Sequence, residues 1–271
     1  MCCPTSDIYS SFILHTGVLC NSMKILPAKL DALYDAALAL VYPQVCAVCE
    51  GASVEARRDA PACARCWQRT RVFTGAETLC WKCGAPSPGG VTEDRRAEVR
   101  CRRCDAEEFT AARGVGVYEL ALRAAVLALK REPYIGARVV SLLREAQQRP
   151  PLDAATLVLP VPLHRKRERE RGFNQASVLA RSLASAAGLP FNESSLVRAT
   201  HTEPHRAGMD ARARRESVAD AFQVTQPRLV KGERILLIDD VFTTGATVSA
   251  CAAVLRAAGA EQVFVLTVAR A

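Results

Sequence analysis

Apolar residues recur with two different spacings in the second half of the chain, and the two spacings alternate. Short apolar runs typical of buried strands occupy residues 115–118, 156–161, 221–224, 235–238 and 263–268. Between them, apolar residues at helical spacing occupy 119–130, 135–148, 172–188 and 248–259. Strands that alternate with helices predict an α/β fold whose mostly parallel sheet is covered on both faces.

The N-terminal part of the chain has a different pattern. Residues 30–41 have apolar positions on one helical face and Pro43 ends that helix, whereas residues 46–104 are short and turn-rich with few apolar runs. The pattern predicts a tail or mispredicted start at 1–29, a helix and a small module at 30–107, and the α/β domain at 108–271. Residues 1–22 contain no Lys or Arg and so do not fit a secretory signal, and no apolar run reaches the length of a membrane span. We therefore expect a cytoplasmic protein.

Cysteines change the interpretation of that module. The chain has 12 cysteines, and eight of them form C-x-x-C pairs: Cys46 and Cys49, Cys63 and Cys66, Cys80 and Cys83, and Cys101 and Cys104. Such pairs aim two thiolates at one ion, and four thiolates in tetrahedral geometry select zinc. Consecutive pairing into two four-sulfur sites leaves loops of usual length, although a crossed arrangement stays open. Closed sites of this kind have a structural or docking role.

Redox-active C-x-x-C motifs are the competing interpretation of these cysteines. It is disfavoured because four pairs lie in one small segment without a surrounding βαβ pattern. The composition, with 49% hydrophobic residues, is that of a globular protein, and the net charge of +8 favours anionic ligands such as phosphates, nucleotides or nucleic acid.

One stretch, Arg234–Thr247, combines a strand, two carboxylates and a hydroxyl-rich turn. The apolar run 235–238 is followed by Asp239 and Asp240, then by a turn and the helix that Gly259 ends. The turn consists of Thr243, Thr244, Gly245, Ala246 and Thr247. A turn before a helix offers N–H groups and the positive end of the helix dipole to a phosphate. Adjacent carboxylates suit a ribose diol, and the motif is not a P-loop.

Two basic segments accompany this stretch. Arg165 to Arg171 follows the end of strand 156–161, where α/β proteins place ligand loops, and could hold further phosphates with a divalent metal. The competing interpretation is a solvated charged loop or helix face. The segment from Arg198 to Arg215 has few apolar residues and is predicted to be a mobile loop.

Residues 238–247, Ile-Asp-Asp-Val-Phe-Thr-Thr-Gly-Ala-Thr, resemble the phosphoribosyl pyrophosphate (PRPP) motif of type I phosphoribosyltransferases. Together with Pro160-Val-Pro-Leu-His164, Arg171-Gly-Phe-Asn-Gln175 and the four C-x-x-C pairs, they resemble the ComF family. That family joins a double zinc ribbon to a phosphoribosyltransferase domain and is associated with DNA uptake in competent bacteria. The resemblance covers the chain from about residue 30 to 271.

The resemblance implies specific roles. Asp239 and Asp240 would bind the ribose hydroxyls and act in catalysis, and residues 243–247 would bind the 5′-phosphate. Leu163, His164, Arg165 and Arg171 would lie on the pyrophosphate side. Type I enzymes use Mg²⁺ with PRPP, so the implied cofactors are Mg²⁺ and two structural zinc ions.

The chain departs from the family pattern at His205, where the family usually has Gln, and at Ser217, where it usually has Asn. The acceptor substrate is therefore the least defined part of the prediction. Two hypotheses follow: an enzyme that transfers phosphoribose from PRPP to an unknown acceptor, and a non-catalytic PRPP sensor or single-stranded-DNA-binding adaptor. In the second, the ribbons would contact DNA or a protein of DNA uptake.

Overall fold

The computed structural model describes residues 44–199 and 221–271. The predicted helix at 30–41 lies outside the described residues, as do residues 200–220, which include most of the second basic segment, His205 and Ser217. The predicted boundaries at 29/30 and 107/108 stay predictions. In the described parts of the chain, no helix is both long and apolar enough to cross a membrane.

Six helices and six strands make up the described part of the chain, besides short 3-10 turns. The helices are α1 (Ala64–Arg69), α2 (Leu120–Leu129), α3 (Ala137–Gln147), α4 (Arg165–Arg171), α5 (Gln175–Ala187) and α6 (Ala246–Ala257). The strands are β1 (Ala111–Val117), β2 (Leu157–Pro160), β3 (Leu196–Arg198), β4 (Phe222–Val224), β5 (Arg234–Phe242) and β6 (Gln262–Arg270).

Four strands form a parallel sheet in the order β1-β6-β5-β2. The central strands β5 and β6 are apolar on both faces, as expected for strands that helices cover on both sides. The strands β3 and β4 form a separate antiparallel pair. The predicted parallel sheet is therefore confirmed, and its carboxyl edge carries the turn after β5.

The two faces of the sheet have different covers. Leu236 and Ile238 of β5 point into a core formed with α2, α3 and α5. Ile235 and Leu237 point to the other face, which α6 covers together with Phe109 and with Cys80, Cys83 and Cys104. The side chains alternate in this way because successive residues of a strand point to opposite faces.

The structure corrects one predicted strand boundary and one predicted loop. The strand predicted at 235–238 continues to Phe242, because β6 runs alongside it and pairs Asp239 with Thr267 and Phe242 with Arg270. The basic segment is not a loop: Arg165–Arg171 forms α4. His164 caps this helix by accepting a hydrogen bond from the Lys166 N–H, and Gly172 ends it with φ +85°.

The cysteine-rich module shares its core with the α/β domain. Cys46, Cys63, Cys66 and Trp67 are buried in the same cluster as the helices of the first face. The connection between the two cysteine groups pairs with the edge of β1 through a bridge from Val72 to Gly116. This bridge covers a strand edge that would otherwise be open to other chains.

Candidate functional site

The eight paired cysteines form two separate groups. One group is Cys46, Cys49, Cys63 and Cys66, the other is Cys80, Cys83, Cys101 and Cys104, and the sulfurs of each lie within 4.8 Å of one another. Consecutive pairing is therefore confirmed. The Sγ atoms of Cys80 and Cys104 are 3.6 Å apart, and those of Cys49 and Cys63 are 3.9 Å apart. A tetrahedral zinc with bonds of about 2.3 Å separates its sulfurs by about 3.8 Å. Both groups therefore fit structural zinc ions.

Backbone N–H groups stabilise the thiolate form of one cysteine in each group. Burial raises the pKa of Cys46, but N–H groups of Cys63, Cys49 and Val48 outweigh it and lower the pKa to about 6. Cys80 has the same balance, and its pKa is also lowered to about 6. Metal binding needs deprotonated sulfur, so these N–H groups favour the ligated form.

The turn after β5 is held by a glycine with a left-handed backbone. Gly245 has φ +86° and precedes α6. A Cβ on Gly245 would lie 2.8 Å from the Cζ atom of Phe242, so the ring of Phe242 lies directly against this turn. Residues 241–248 and Asp239 line a concavity of about 60 Å³ there. We call residues 243–247 the phosphate loop, because the first N–H groups of a helix have no partner within the helix and favour anions.

The acidic pair lies at the same edge of the sheet, where the sequence places it. Asp240 is 7% exposed, and its Oδ2 is 3.1 Å from Nζ of Lys130, the residue that ends α2. Asp239 accepts a hydrogen bond of 2.8 Å from the Asp240 N–H through Oδ1. Lys130 therefore forms an ion pair with Asp240, while Asp239 faces the concavity.

The pKa of Asp239 is strongly perturbed. Burial is the larger cause and the neighbouring charge of Asp240 the second, and together they raise the pKa of Asp239 well above its ordinary value. Part of its surface still opens to the concavity, while protein atoms crowd it on the other sides. A carboxylate that burial makes costly to ionise is stabilised most by an incoming hydroxyl donor or cation.

The residues predicted for the pyrophosphate side leave the neighbouring strand β2, which pairs with β5 up to Pro160 and Ile238. Leu163 and His164 lie between β2 and α4, and Leu163 and Arg165 line a second concavity of about 120 Å³. Arg171 donates to the side chain of Gln175, so it lies against α5. Asn174 fixes the exit of β2, because its amide donates to the Val161 carbonyl at 3.1 Å.

Arg198 is an additional cation on this side, and the sequence predicts it to lie in a loop. Arg198 belongs to β3, and its guanidinium lies 5.4 Å from the ring centre of Phe222. Burial lowers the pKa of Arg198, and the positive charge of Arg167 on α4 lowers it further. The positive charges of Arg167 and Arg198 act on each other, and together they favour a multivalent anion.

The segment directly after the second ribbon, the ribbon that contains Cys80, Cys83, Cys101 and Cys104, contacts the end of β5 and the helix that follows the phosphate loop. The Glu108 N–H donates to Oγ of Ser249 at 2.9 Å, and Phe109 packs edge-on against Phe242 with ring centres 5.9 Å apart. Sequence reasoning missed these contacts, as it missed Lys130. The cysteines gave a signal for zinc but none for where the ribbon would lie.

A larger cavity, of about 530 Å³, lies between the ribbon and β1, away from these residues. Its arginines Arg96, Arg113 and Arg149 each donate to backbone carbonyls, of Gly75, of Trp81 and Ala112, and of Phe73 respectively. The bonds of Arg113 and Arg149 join the α/β domain to the cysteine-rich module, and that of Arg96 lies within the module, so we assign all three a structural role.

Two protein-family models match this chain. A family model described as a double zinc ribbon domain matches residues 37–107, and one described as a phosphoribosyl transferase domain matches residues 170–271. The first match contains both cysteine groups, and the second contains the phosphate loop and the acidic pair. The fold is that of type I phosphoribosyltransferases.

Curated relatives match this chain over different shares of their length. "DNA utilization protein YhgH" of Salmonella typhimurium is 31% identical over 203 residues, which cover 71% of this chain and 84% of that protein. The chain belongs to the ComF family. Other relatives match over shorter stretches. "Competence protein F" of Haemophilus influenzae is 34% identical over 48% of this chain and 56% of its own length. "Competence protein ComFC" of Bacillus subtilis is 36% identical over 35% of this chain and 36% of its own length.

Solved structures similar to this ComF family member include a glutamine PRPP amidotransferase from B. subtilis. It is 19% identical over 52% of this chain and 30% of that chain, with a TM-score of 0.35. An adenine phosphoribosyltransferase from Thermoanaerobacter pseudethanolicus is 14% identical over 49% of this chain and 79% of that chain, with a TM-score of 0.31.

Proposed function

We propose that this protein binds PRPP with Mg²⁺ and transfers its phosphoribosyl group to a nucleophilic acceptor. The observation that carries the proposal is the carboxylate pair at the end of β5, set directly before an anion-binding helix start. A phosphorylated ribose presents a diol and a phosphate about one sugar apart, and the two features match these groups.

Each residue has a role in this proposal. The phosphate loop binds the 5′-phosphate through N–H groups and the hydroxyls of Thr243, Thr244 and Thr247. Asp239 and Asp240 accept from the ribose 2′- and 3′-hydroxyls, and Lys130 forms an ion pair with Asp240. The carboxylate and hydroxyl oxygens at this edge are donors of the kind that Mg²⁺ prefers, so the residues fit this ion. Bound with PRPP, Mg²⁺ would supply positive charge against the phosphates.

The reaction exchanges one bond at the anomeric carbon for another. The bond from that carbon to the pyrophosphate oxygen breaks, and pyrophosphate leaves with the electron pair, while a bond to the acceptor nitrogen forms. Arg167 and Arg198 would stabilise the charge that grows on the leaving group, together with Leu163, His164, Arg165 and Arg171 around it. The buried acidic pair would stabilise the positive charge that develops on the sugar.

Calorimetry of PRPP binding in the presence and absence of Mg²⁺ tests the proposal. Asp239→Asn with Asp240→Asn should weaken binding about 100-fold or more, because two hydrogen bonds to charged groups are worth about 1.5–3 kcal/mol each. Asp153→Asn, at an exposed acid before β2, is the matched control and should bind like the wild type. Lack of PRPP binding by zinc-replete wild-type protein would contradict the proposal. Pyrophosphate release across a panel of nitrogen acceptors then separates transfer from ligand sensing.

A role in DNA uptake is the second part of the proposal. It is supported by the names of the relatives, which refer to competence and DNA utilization, and by the net charge of +8. Zinc thiolates favour a reducing compartment, which supports a cytoplasmic site of action. Direct contact with single-stranded DNA predicts salt-dependent binding that persists in the double Asp variant. Absence of DNA binding at low salt would contradict direct contact.

A further inference from the structure

Arg270, the last residue of β6, contacts both the second ribbon and the strand that leads into the phosphate loop. Its Nη1 donates to the Cys83 carbonyl at 2.6 Å, and Nη2 lies 3.9 Å from the Cys83 sulfur. The guanidinium carbon lies 4.5 Å from the ring centre of Phe242. One planar group therefore joins a zinc-ligand turn to the end of β5.

Phe242 transmits this contact to the phosphate loop. Its ring lies so close to Gly245 that a Cβ there would be 2.8 Å from the ring edge. Phe109 holds the ring from another side in an edge-on contact. The ring thus has one defined place, with Arg270, Phe109 and the loop around it, and a shift of the ring would shift Gly245.

The register of the sheet brings the two residues together. Phe242 and Arg270 are direct partners across the parallel pair β5 and β6, at the same carboxyl edge. Arginine suits this place better than lysine, because its planar group donates hydrogen bonds in its plane while its face rests on an aromatic ring.

We propose that Arg270 is a positioning residue for the phosphate loop: held by the Cys83 turn of the second ribbon, it fixes Phe242, and Phe242 fixes Gly245. The metal site thereby sets the geometry of the phosphate loop without touching the ligand. The inference rests on the proposed function, since the loop is taken to bind the 5′-phosphate of PRPP.

Arg113 provides a matched control within the same ribbon contact. It also lies over an aromatic ring, 5.2 Å from the centre of Trp81, and its Nη1 donates to the Trp81 carbonyl at 2.8 Å. It lies on β1, with β6 between it and the strand of the phosphate loop. Loss of Arg113 therefore removes an equivalent ribbon contact and leaves the path through Phe242 intact.

The first experiment measures PRPP affinity by calorimetry in full-length, zinc-replete proteins, with zinc content and thermal unfolding recorded for each. Arg270→Ala should weaken PRPP binding about tenfold, whereas Arg113→Ala should change it less than about twofold. Arg270→Lys should recover only part of the loss, because lysine retains the charge but not the planar bridge. Equal affinities of the Arg270→Ala and Arg113→Ala proteins would overturn the proposal, as would full recovery with lysine.

A double-mutant cycle tests whether Arg270 acts through Phe242. If it does, Phe242→Leu combined with Arg270→Ala should weaken PRPP binding no more than the stronger single change. Additive losses would show that the two residues act separately, and would overturn the path through Phe242.

Hydrogen exchange separates failure of this inference from failure of the proposed function. Without any ligand, Arg270→Ala should speed exchange of the amides in residues 243–248, and Arg113→Ala should not. If the wild type binds no PRPP, the proposed function fails, and the positioning role is then decided by exchange alone. Unchanged exchange in the Arg270→Ala protein would overturn it.

Discussion

Replacing Gly245 by alanine tests the structure of the phosphate loop directly. Two features of the position oppose a side chain: its φ of +86°, and the ring of Phe242 at 2.8 Å from the new Cβ. Gly188, which ends α5, has φ +68°, and a Cβ added there would have no atom within 4 Å. Gly188→Ala therefore measures the backbone cost alone.

The magnitude follows from these two terms. A left-handed backbone costs a residue with a Cβ about 1–2 kcal/mol. Phe242 would also have to move by about half an ångström to reach ordinary contact, and forcing an extra methyl group into a well-filled place costs about 1–3 kcal/mol. We expect Gly245→Ala to lower the free energy of unfolding by about 2–5 kcal/mol, and Gly188→Ala by about 1–2 kcal/mol.

Urea unfolding of both variants and the wild type, at fixed zinc concentration, measures the difference. PRPP calorimetry on the folded variants should show loss of affinity for Gly245→Ala alone, because the displaced loop no longer aims its N–H groups at the phosphate. Equal destabilisation of the two variants would refute the close contact of Phe242 with the loop. Unchanged PRPP affinity in the Gly245→Ala protein would refute the role assigned to the loop.

Further predictions concern the charges and the metal. Asp239→Asn should stabilise the ligand-free protein increasingly as pH rises above the ordinary carboxyl range, because a pKa raised in the folded state makes ionisation costly, and unfolding across pH measures this. Lys130→Met should lower the free energy of unfolding by about 1–2 kcal/mol in urea titrations and weaken PRPP binding, since Asp240 loses its partner. Cys49→Ser and Cys101→Ser should each lose one zinc by elemental analysis, and Cys101→Ser should reduce PRPP affinity more, because only its group adjoins the loop.

Much of the architecture could be predicted from periodicity. Alternating strands and helices indicated the parallel sheet, and C-x-x-C spacing indicated the two cysteine groups, because both depend on residues close in sequence. The end of β5 was misjudged for the opposite reason. Asp239 and Asp240 do not look like strand residues, and they extend in the ladder because β6 runs beside them.

The partners of the site residues could not be predicted. Lys130 reaches Asp240 from a helix more than a hundred positions earlier, and Arg198 lies in a strand that exists only through pairing with β4. Their positions depend on which strands adjoin and in which register. In the sequence, each is one basic residue among 36.

The two cysteine groups differ in what they support, although their spacing is the same. The first is buried with the helices on one face of the sheet, and the second lies on the face of α6. A structural zinc site close to the phosphate loop constrains that loop, since the Cys83 turn holds Arg270 and Arg270 holds Phe242. A shift of β6 by one residue would turn Arg270 to the opposite face and break that path. The register of β5 and β6, set by the apolar residues 235–238 and 263–266, thus fixes the contact between ribbon and loop as well as the core.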